Sequence, residues 1–123
     1  MKYMLLIHHD EHAWDEKSDA EKQVLYGEFR QLRQELLSAR QYLDGSQLHP
    51  TTAATSVRVR DGKRLLTDGP FAETREQLGG YFLIEAGDRD EAIAIAGRIP
   101  TARWGTIEIR QLVEAPVSAA ATA

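Results

Sequence analysis

The fold is decided by a short apolar stretch, GYFLIEA, at residues 80–86. Apolar residues occupy consecutive positions in it, which is typical of a strand that is buried on both faces. The chain begins with a similar stretch, YMLLI at residues 3–7, which predicts a first strand from Lys2 to His8. The two stretches therefore predict the two central strands of one sheet.

Each of these strands is followed by an amphipathic segment. An S-x-x-E capping box starts at Ser18, and a D-x-x-E pattern starts at Asp88, so both segments begin as helices do. The first segment predicts a helix of roughly six turns that ends at Gly45, packing on the sheet or, alternatively, in a coiled coil. The second predicted helix ends before Pro100. The apolar stripe of the first helix consists of Leu25, Phe29, Leu32, Leu36, Ala39 and Leu43.

A hairpin lies between the two helices. Residues 55–60 alternate between apolar and polar, and the Asp-Gly pair at 61–62 favours a two-residue turn. A type I′ turn there places Val57 opposite Leu66. With a last alternating strand over 105–113, the order is strand, helix, hairpin, strand, helix, strand. This order predicts an α+β fold: a ferredoxin-like split βαβ antiparallel sheet with an added hairpin arm and two helices on one face.

Two helices cover only one face of such a sheet. Half of YMLLI and half of YFLI would then be exposed on the other face, and an apolar patch of that size is rare on a monomer. A second copy laid face to face would cover it. The pattern predicts a homodimer whose paired sheets form a barrel-like core.

Composition sets the class of protein. With 123 residues, 42% hydrophobic and 28% charged, the chain is expected to be one globular domain over 1–114 with a flexible tail over 115–123. A net charge of -4 argues against a nucleic-acid partner. The apolar run at the start is too short for a signal peptide or a membrane span, and the lack of cysteine fits the cytoplasm. No cofactor is expected.

One long segment resembles a known family. DGPFAETREQLGGYFLIE, residues 68–85, is similar to the DGPF signature of the YCII-related family, small bacterial proteins of the dimeric α/β-barrel superfamily. The similarity runs from KYMLLI through LHPTTAATSVRVRDGK and TDGPFAET to AIAGRIP and GTIEIRQL. The family usually has lysine where Arg75 stands, and an R-P pair where this chain has Arg110-Gln111. The resemblance implies the fold and the dimer, but no definite reaction.

Two adjacent histidines end the first strand. Because side chains alternate along a strand, His8 and His9 point to opposite faces, and the sequence leaves open which one faces a pocket. A histidine can exchange protons near neutral pH, and Asp68 is the candidate carboxylate to hold its tautomer. The resemblance adds that family members outside the DGPF branch are suspected of using such a pair. The alternative is that these histidines only end a strand.

The same histidines belong to a cluster of ligand-type residues, HHDEH at 8–12. The cluster lacks the H-E-x-x-H order, and side chains diverge after a strand. We therefore predict no metal site here.

The Asp-Gly-Pro sequence at 68–70 predicts a tight turn in which Gly69 takes a positive φ. Thr74 or Thr67 could cap a short helical turn in AETREQL. Local capping explains most of this motif, so we interpret the loop first as a rigid turn. Gly79-Gly80 remains, and would let a backbone or a ligand approach closely.

Three residues around this loop are candidate ligand contacts. Phe71 is an aromatic side chain in a polar loop, and Arg58 and Arg75 could bind an anion. If the fold has a pocket, we expect the loop to border it.

Two functions are consistent with these residues. In the first, the protein binds or transforms a small molecule, since superfamily relatives act on small aromatic or lactone compounds, often without a cofactor. In the second, it is a non-catalytic interaction protein, because proteins that resemble it are often encoded beside extracytoplasmic-function sigma factors. The acidic net charge permits contact with a basic sigma region.

Overall fold

The computed structural model describes residues 1–114. Strands β1 (Lys2–His9), β2 (Tyr42–Gln47), β5 (Gln77–Glu85) and β6 (Thr106–Gln111) form one antiparallel sheet in the order β2-β5-β1-β6. The two stretches that are apolar at consecutive positions are therefore the central strands, as predicted. The expected tail at 115–123 lies outside the described residues.

Three helices accompany the sheet: α1 (Glu11–Asp15), α2 (Asp19–Ser38) and α3 (Arg89–Arg98). The predicted capping box at Ser18 is formed, and Asp88 caps α3 by accepting from the backbone N–H of Glu91. The polar segment that follows His9 contains the short helix α1. The mixed α and β content with antiparallel strands is consistent with the ferredoxin-like fold.

One hydrophobic core lies between α2, α3 and one face of the sheet. Alternate residues of β1 and β5 face it, among them Leu5 and Ile84, which are fully buried with Leu36 of α2 and Ile99. Because only one face of the sheet is covered, the residues between them on β1 and β5 face the opposite side. We call that side the open face; it carries Met4, Leu6, Tyr81 and Leu83.

The end of the first long helix differs from the sequence prediction. Helix α2 ends at Ser38 rather than at Gly45, because Arg40 adopts a left-handed conformation with φ of 59°. The backbone N–H of Gln41 donates to the carbonyl of Leu36 at 2.8 Å, which completes a Schellman cap. The residues from Tyr42 onward are thereby released to form β2.

The hairpin also differs in its place. Strands β3 (Thr55–Arg60) and β4 (Lys63–Asp68) have the predicted register, with Val57 opposite Leu66, and both turn residues have positive φ. They form a separate two-stranded sheet, however, and do not add an arm to the four-stranded one. The strand that was expected from the hairpin is supplied by β2.

The Asp-Gly-Pro turn has the predicted conformation. Gly69 has φ of 101°, its N–H donates to the carbonyl of Ala54 at 2.7 Å, and its carbonyl accepts from the Ser56 hydroxyl at 2.8 Å. The short helical turn expected after it is not formed, since residues 71–76 are irregular and the Thr74 hydroxyl donates to the carbonyl of Glu76. Within residues 1–114, no helix is long and apolar enough to cross a membrane.

Candidate functional site

A cavity of about 370 Å³ lies between α2, α1 and the helix-side face of the sheet. One side of α2 forms much of its wall, because residues three and four apart in a helix share a face. Tyr26, Phe29, Arg30 and Arg33 line the cavity from this helix. Phe82 of β5 closes part of the opposite wall. The cavity is therefore largely aromatic, with two guanidinium groups on one side.

His9 is the histidine that faces this cavity. It follows Ile7 on the helix-side face, while His8 points to the open face. The pairing of β1 with β5 shifts by one residue at this point, so that Gly79 has no partner in the ladder. A β-carbon at Gly79 would lie 2.2 Å from His9 Nε2, so only glycine leaves room for the imidazole ring. The sequence suggested that a backbone or a ligand approaches the glycine pair; at Gly79 it is the side chain of His9 that does so.

Two tryptophans complete the aromatic wall beside His9. Trp14 of α1 and Trp104 have parallel rings with centroids 6.0 Å apart. The His9 ring is nearly perpendicular to both indole rings, with centroid distances of 6.2 Å to Trp14 and 5.2 Å to Trp104. Such edge-to-face contacts fix the orientation of the imidazole.

The segment that carries Trp14 is anchored by polar contacts. Asp10 caps α1 through the N–H of His12, and the N–H of Glu11 donates to Gln77 Oε1 at 2.9 Å. The Glu11 carboxylate accepts from the N–H and the hydroxyl of Thr51, each at 2.8 Å. Helix α1 is thus tied to β5 and to the 3-10 turn Thr51–Ala53, although it buries no residue fully.

Trp104 is held by a second anchor. It follows the 3-10 turn Pro100–Arg103, and Arg103 donates two hydrogen bonds to Glu28 of α2, at 2.7 and 3.1 Å. These hydrogen bonds from Arg103 hold the pKa of the Glu28 carboxyl below its ordinary value. The bidentate pair joins the turn to the helix that lines the cavity.

Three residues of the lining each carry one side-chain nitrogen that is buried and has no hydrogen-bond partner within residues 1–114: His9 Nδ1, Arg33 Nε and Trp104 Nε1. Buried polar atoms are nearly always hydrogen-bonded in folded proteins. The lining also contains Arg30 in addition to Arg33 but no carboxylate. The lining is therefore electropositive.

His8 has a different environment on the open face. Its Nε2 lies 3.1 Å from Glu108 Oε1, and the other oxygen of Glu108 lies 3.7 Å from Arg110. The two adjacent histidines therefore take part in two separate arrangements.

The other residues predicted for the site lie away from this cavity. Asp68 ends β4 opposite Thr55, and within residues 1–114 it forms no hydrogen bond with His8 or His9. Arg58 lies on the hairpin, and Arg75 and Phe71 lie in the loop before β5; all are exposed, Phe71 to 83%. The cavity touches Gly79 and Gly80 but not the Asp-Gly-Pro turn.

The residues of HHDEH are dispersed by the fold. His8 pairs with Glu108, His9 faces the cavity, Asp10 caps a helix, and Glu11 binds Thr51. No group of three or more metal-ligand side chains comes together among residues 1–114.

Comparison with known proteins identifies the family. The model of the YCII-related domain matches residues 1–116. The chain belongs to the YCII-related family. A protein of Rhizobium meliloti (strain 1021), described as uncharacterized, is 33% identical over 114 residues, which cover 91% of this chain and 92% of the relative. Membership of the DGPF branch remains a prediction from the resemblance.

Sequence reasoning missed the two arginines and the two tryptophans of this cavity: Trp14, Arg30, Arg33 and Trp104. They come from α1, α2 and the turn before β6, and meet only in the folded chain. One signal was available, since Trp14 and Trp104 are the two tryptophans of the sequence and both lie among polar residues.

Proposed function

We propose that this YCII-related protein binds a small organic anion in the cavity, and that His9 is the acid–base group if the molecule is transformed there. The observation that carries the proposal is the lining of the cavity: His9 and two arginines among aromatic side chains, with no carboxylate. Convergent polar groups in a largely apolar pocket are the usual setting of a small-molecule site.

The lining suggests a role for each group. The guanidinium groups of Arg30 and Arg33 attract the anion, and the aromatic side chains contact its apolar part. The His9 ring, fixed by the two tryptophans and by Gly79, can exchange a proton with a bound oxygen or carbon atom. Aromatic acids and lactones are the compounds of first choice.

The direct experiment is a thermal-shift screen of aromatic acids, lactones and neutral analogues. A ligand at a hundred times its Kd stabilises the folded state by about 2.7 kcal/mol, which is readily measured. We expect acids to stabilise the wild type and to lose this effect in Arg33→Gln, while the exposed Arg89→Gln behaves as the wild type. If no compound of any charge stabilises the protein, the cavity is not a small-molecule site.

A pair between Asp68 and a strand-end histidine remains part of the proposal for catalysis. Asp68 is exposed at the end of β4 and, within residues 1–114, bonds to neither histidine, so this part of the proposal rests on the sequence resemblance. The Asp68→Asn variant tests it. If the pair forms, the imidazole NMR signals of His8 or His9 shift in this variant, and any activity falls. Unchanged signals and activity would end the idea.

We also propose that the protein is a homodimer through the open face. Met4, Leu6, Tyr81 and Leu83 are only half-buried there, in the middle of the sheet. A second sheet laid on this face would bury them and form the barrel-like core expected from the resemblance. Light scattering at micromolar concentration should give twice the mass of the chain; a stable monomer would contradict the proposal.

The hairpin supports a second candidate function, as a non-catalytic interaction protein. Val57, Val59 and Leu66 share one side of the hairpin and are more than half exposed, at 57%, 61% and 64%. An exposed apolar surface of this kind is typical of a macromolecular contact. The proposed partner is an extracytoplasmic-function sigma factor. Binding of a purified sigma factor that is lost in Leu66→Ser and kept in Arg33→Gln would favour this function; no measurable binding would remove it.

A further inference from the structure

The hairpin of β3 and β4 has two sides of different character. Val57, Val59 and Leu66 lie on one side. Arg58 and Arg60 lie on the other side, because side chains alternate along a strand. All but one of the residues in the two strands are exposed, and the strands pack chiefly against each other. The hairpin therefore presents an apolar side and a basic side that no other element of residues 1–114 covers.

The hairpin is basic although the chain is acidic. Residues 55–68 contain four cationic and two anionic side chains, which give a net charge of +2, while the whole chain carries -4. The rest of the chain therefore carries -6. Within residues 1–114 none of the four cations forms a salt bridge. Complementary charge selects partners, so the segment that binds the hairpin is expected to be acidic.

The outer edge of β3 can accept another strand. Both turn residues have positive φ, as in a type I′ turn. In such a hairpin the pair that flanks the turn, Arg60 and Lys63, is hydrogen-bonded, and the bonded pairs alternate from there. The backbone N–H and C=O groups of Val57 and Val59 therefore point away from β4. Within residues 1–114 they bond to no other element, and the Val59 carbonyl accepts only from the Arg60 guanidinium, at 2.9 Å.

A strand that matches this edge alternates between apolar and acidic residues. One set of its side chains would lie beside Val57 and Val59, where apolar groups pack best. The other set would lie beside Arg58 and Arg60, where carboxylates are favoured. When a strand is added to a sheet edge, the backbone hydrogen bonds give affinity and the alternate side chains give specificity.

Other occupants match the hairpin less well. The outer strands of the four-stranded sheet, β2 and β6, each contain one carboxylate, Asp44 or Glu108. On β6, Arg110 follows Glu108 on the same side, so a second copy would place like charges together. A nucleic acid would match the basic side through its phosphates but leave the apolar side of the hairpin exposed. A strand from another protein fits both sides.

We infer that the edge of β3 binds an extended segment of a partner protein in which apolar and acidic residues alternate. The segment pairs with β3 as an added strand. The inference rests on the second candidate function, because it specifies how the same hairpin engages a protein partner. It goes further in naming the edge that pairs and the conformation and charge of the partner segment.

Labelled peptides with blocked ends test the pattern on the wild-type protein by fluorescence anisotropy. The probe is EVEVEVE, and its controls are KVKVKVK and the block sequence EEEEVVV. We expect both controls to bind about tenfold more weakly than the probe, since charge and alternation each contribute. Two further peptides carry N-methyl groups on all valines or on all glutamates of EVEVEVE. At least one of them should lose binding, because an added strand donates its N–H groups from one edge.

Variants identify the edge. The N–H of Val59 points away from β4, so Val59→Pro removes it without breaking the hairpin and should weaken EVEVEVE about tenfold. Leu66→Pro makes the same change on the edge of β4 and should bind as the wild type does. Arg58→Glu should weaken EVEVEVE about fivefold to tenfold and improve binding of KVKVKVK. Circular dichroism checks each fold, and the peptide comparison on the wild type holds if a variant does not fold.

Several results would overturn the inference. Equal affinity for EVEVEVE and its controls, or unchanged binding of both methylated peptides, would exclude the added acidic strand. A loss confined to Leu66→Pro would exclude β3. Tighter binding of a DNA duplex, or association of the protein beyond a dimer, would replace the partner protein. If EVEVEVE fails but the purified sigma factor binds, only this inference fails; if neither binds, the second candidate function fails as well.

Discussion

The two faces of the four-stranded sheet carry different features, although the residues of both faces alternate along the same strands. The helix-side face carries the core and, at the end of β1, the cavity with His9. The open face carries a half-buried apolar strip and the pair of His8 with Glu108. His9 therefore belongs to the proposed ligand site and His8 to the proposed subunit interface, because successive side chains point to opposite faces.

The largest effect is expected from placing a charge on each face in turn. Leu5 is fully buried, so Leu5→Asp leaves an unpaired charge in the core and should cost at least about 4 kcal/mol, enough to unfold the chain. Leu6→Asp lies on the open face and should give a folded monomer. Circular dichroism and light scattering measure the two outcomes. A folded dimer of Leu6→Asp would show that the open face is not the interface.

The next effect concerns Gly79, which makes room for His9. A methyl group at this position would overlap the imidazole ring, so Gly79→Ala should cost about 1–3 kcal/mol and weaken ligand binding about tenfold. Gly87→Ala is the matched control, since nothing lies within 4 Å of its β-carbon position and its φ is not in the left-handed region. Equal melting temperatures and affinities for the two variants would contradict the described position of His9.

A smaller effect is expected from the turn that lies apart from both faces. Gly69 has φ of 101°, so Gly69→Val should lower stability by about 1–3 kcal/mol, and Pro70→Ala by less. Ligand affinity and dimer mass should stay unchanged, because the turn borders neither the cavity nor the open face. Denaturant unfolding and the same binding assay test this; a loss of affinity at constant stability would show that the loop contacts the ligand.

The smallest effect concerns the pair of Glu28 with Arg103, which is exposed. The folded-state pKa of Glu28 is lowered by the hydrogen bonds from Arg103, so the pair stabilises the protein above the unfolded-state pKa of the carboxyl. This contribution is lost as the pH falls through the lowered folded-state pKa. Glu28→Gln should therefore be slightly less stable than the wild type at pH 7 and equal to it in strong acid. A constant difference at all pH values would contradict this.

Much of the sheet was predictable from the sequence because burial on both faces leaves a clear pattern. YMLLI and YFLI indicated the central strands, and Asp61-Gly62 fixed the hairpin register. The end of α2 and the strand β2 were not predictable in this way. The residue in the left-handed position is Arg40, whereas glycine is the usual signal, so Gly45 was taken as the helix end.

The site was less predictable than the fold. His9 was a candidate from its position at the end of a strand, but the choice between His8 and His9 depends on the strand register. Arg33 and Trp104 are separated by many residues and line the same cavity only because α2 packs against the turn before β6. Arg58, Arg75 and Phe71 were chosen for residue type near a recognisable motif, and the fold leaves them exposed and outside the cavity lining.

The most direct test of the central claim is one titration of three proteins with 4-hydroxybenzoate, followed by the indole NMR signals. The wild type is compared with His8→Gln and His9→Gln, which make the same change on the two faces. We expect His8→Gln to bind as the wild type does and His9→Gln to lose about tenfold or more in affinity. Equal affinity in all three proteins, or a loss confined to His8→Gln, would contradict the assignment of the ligand site to the helix-side cavity.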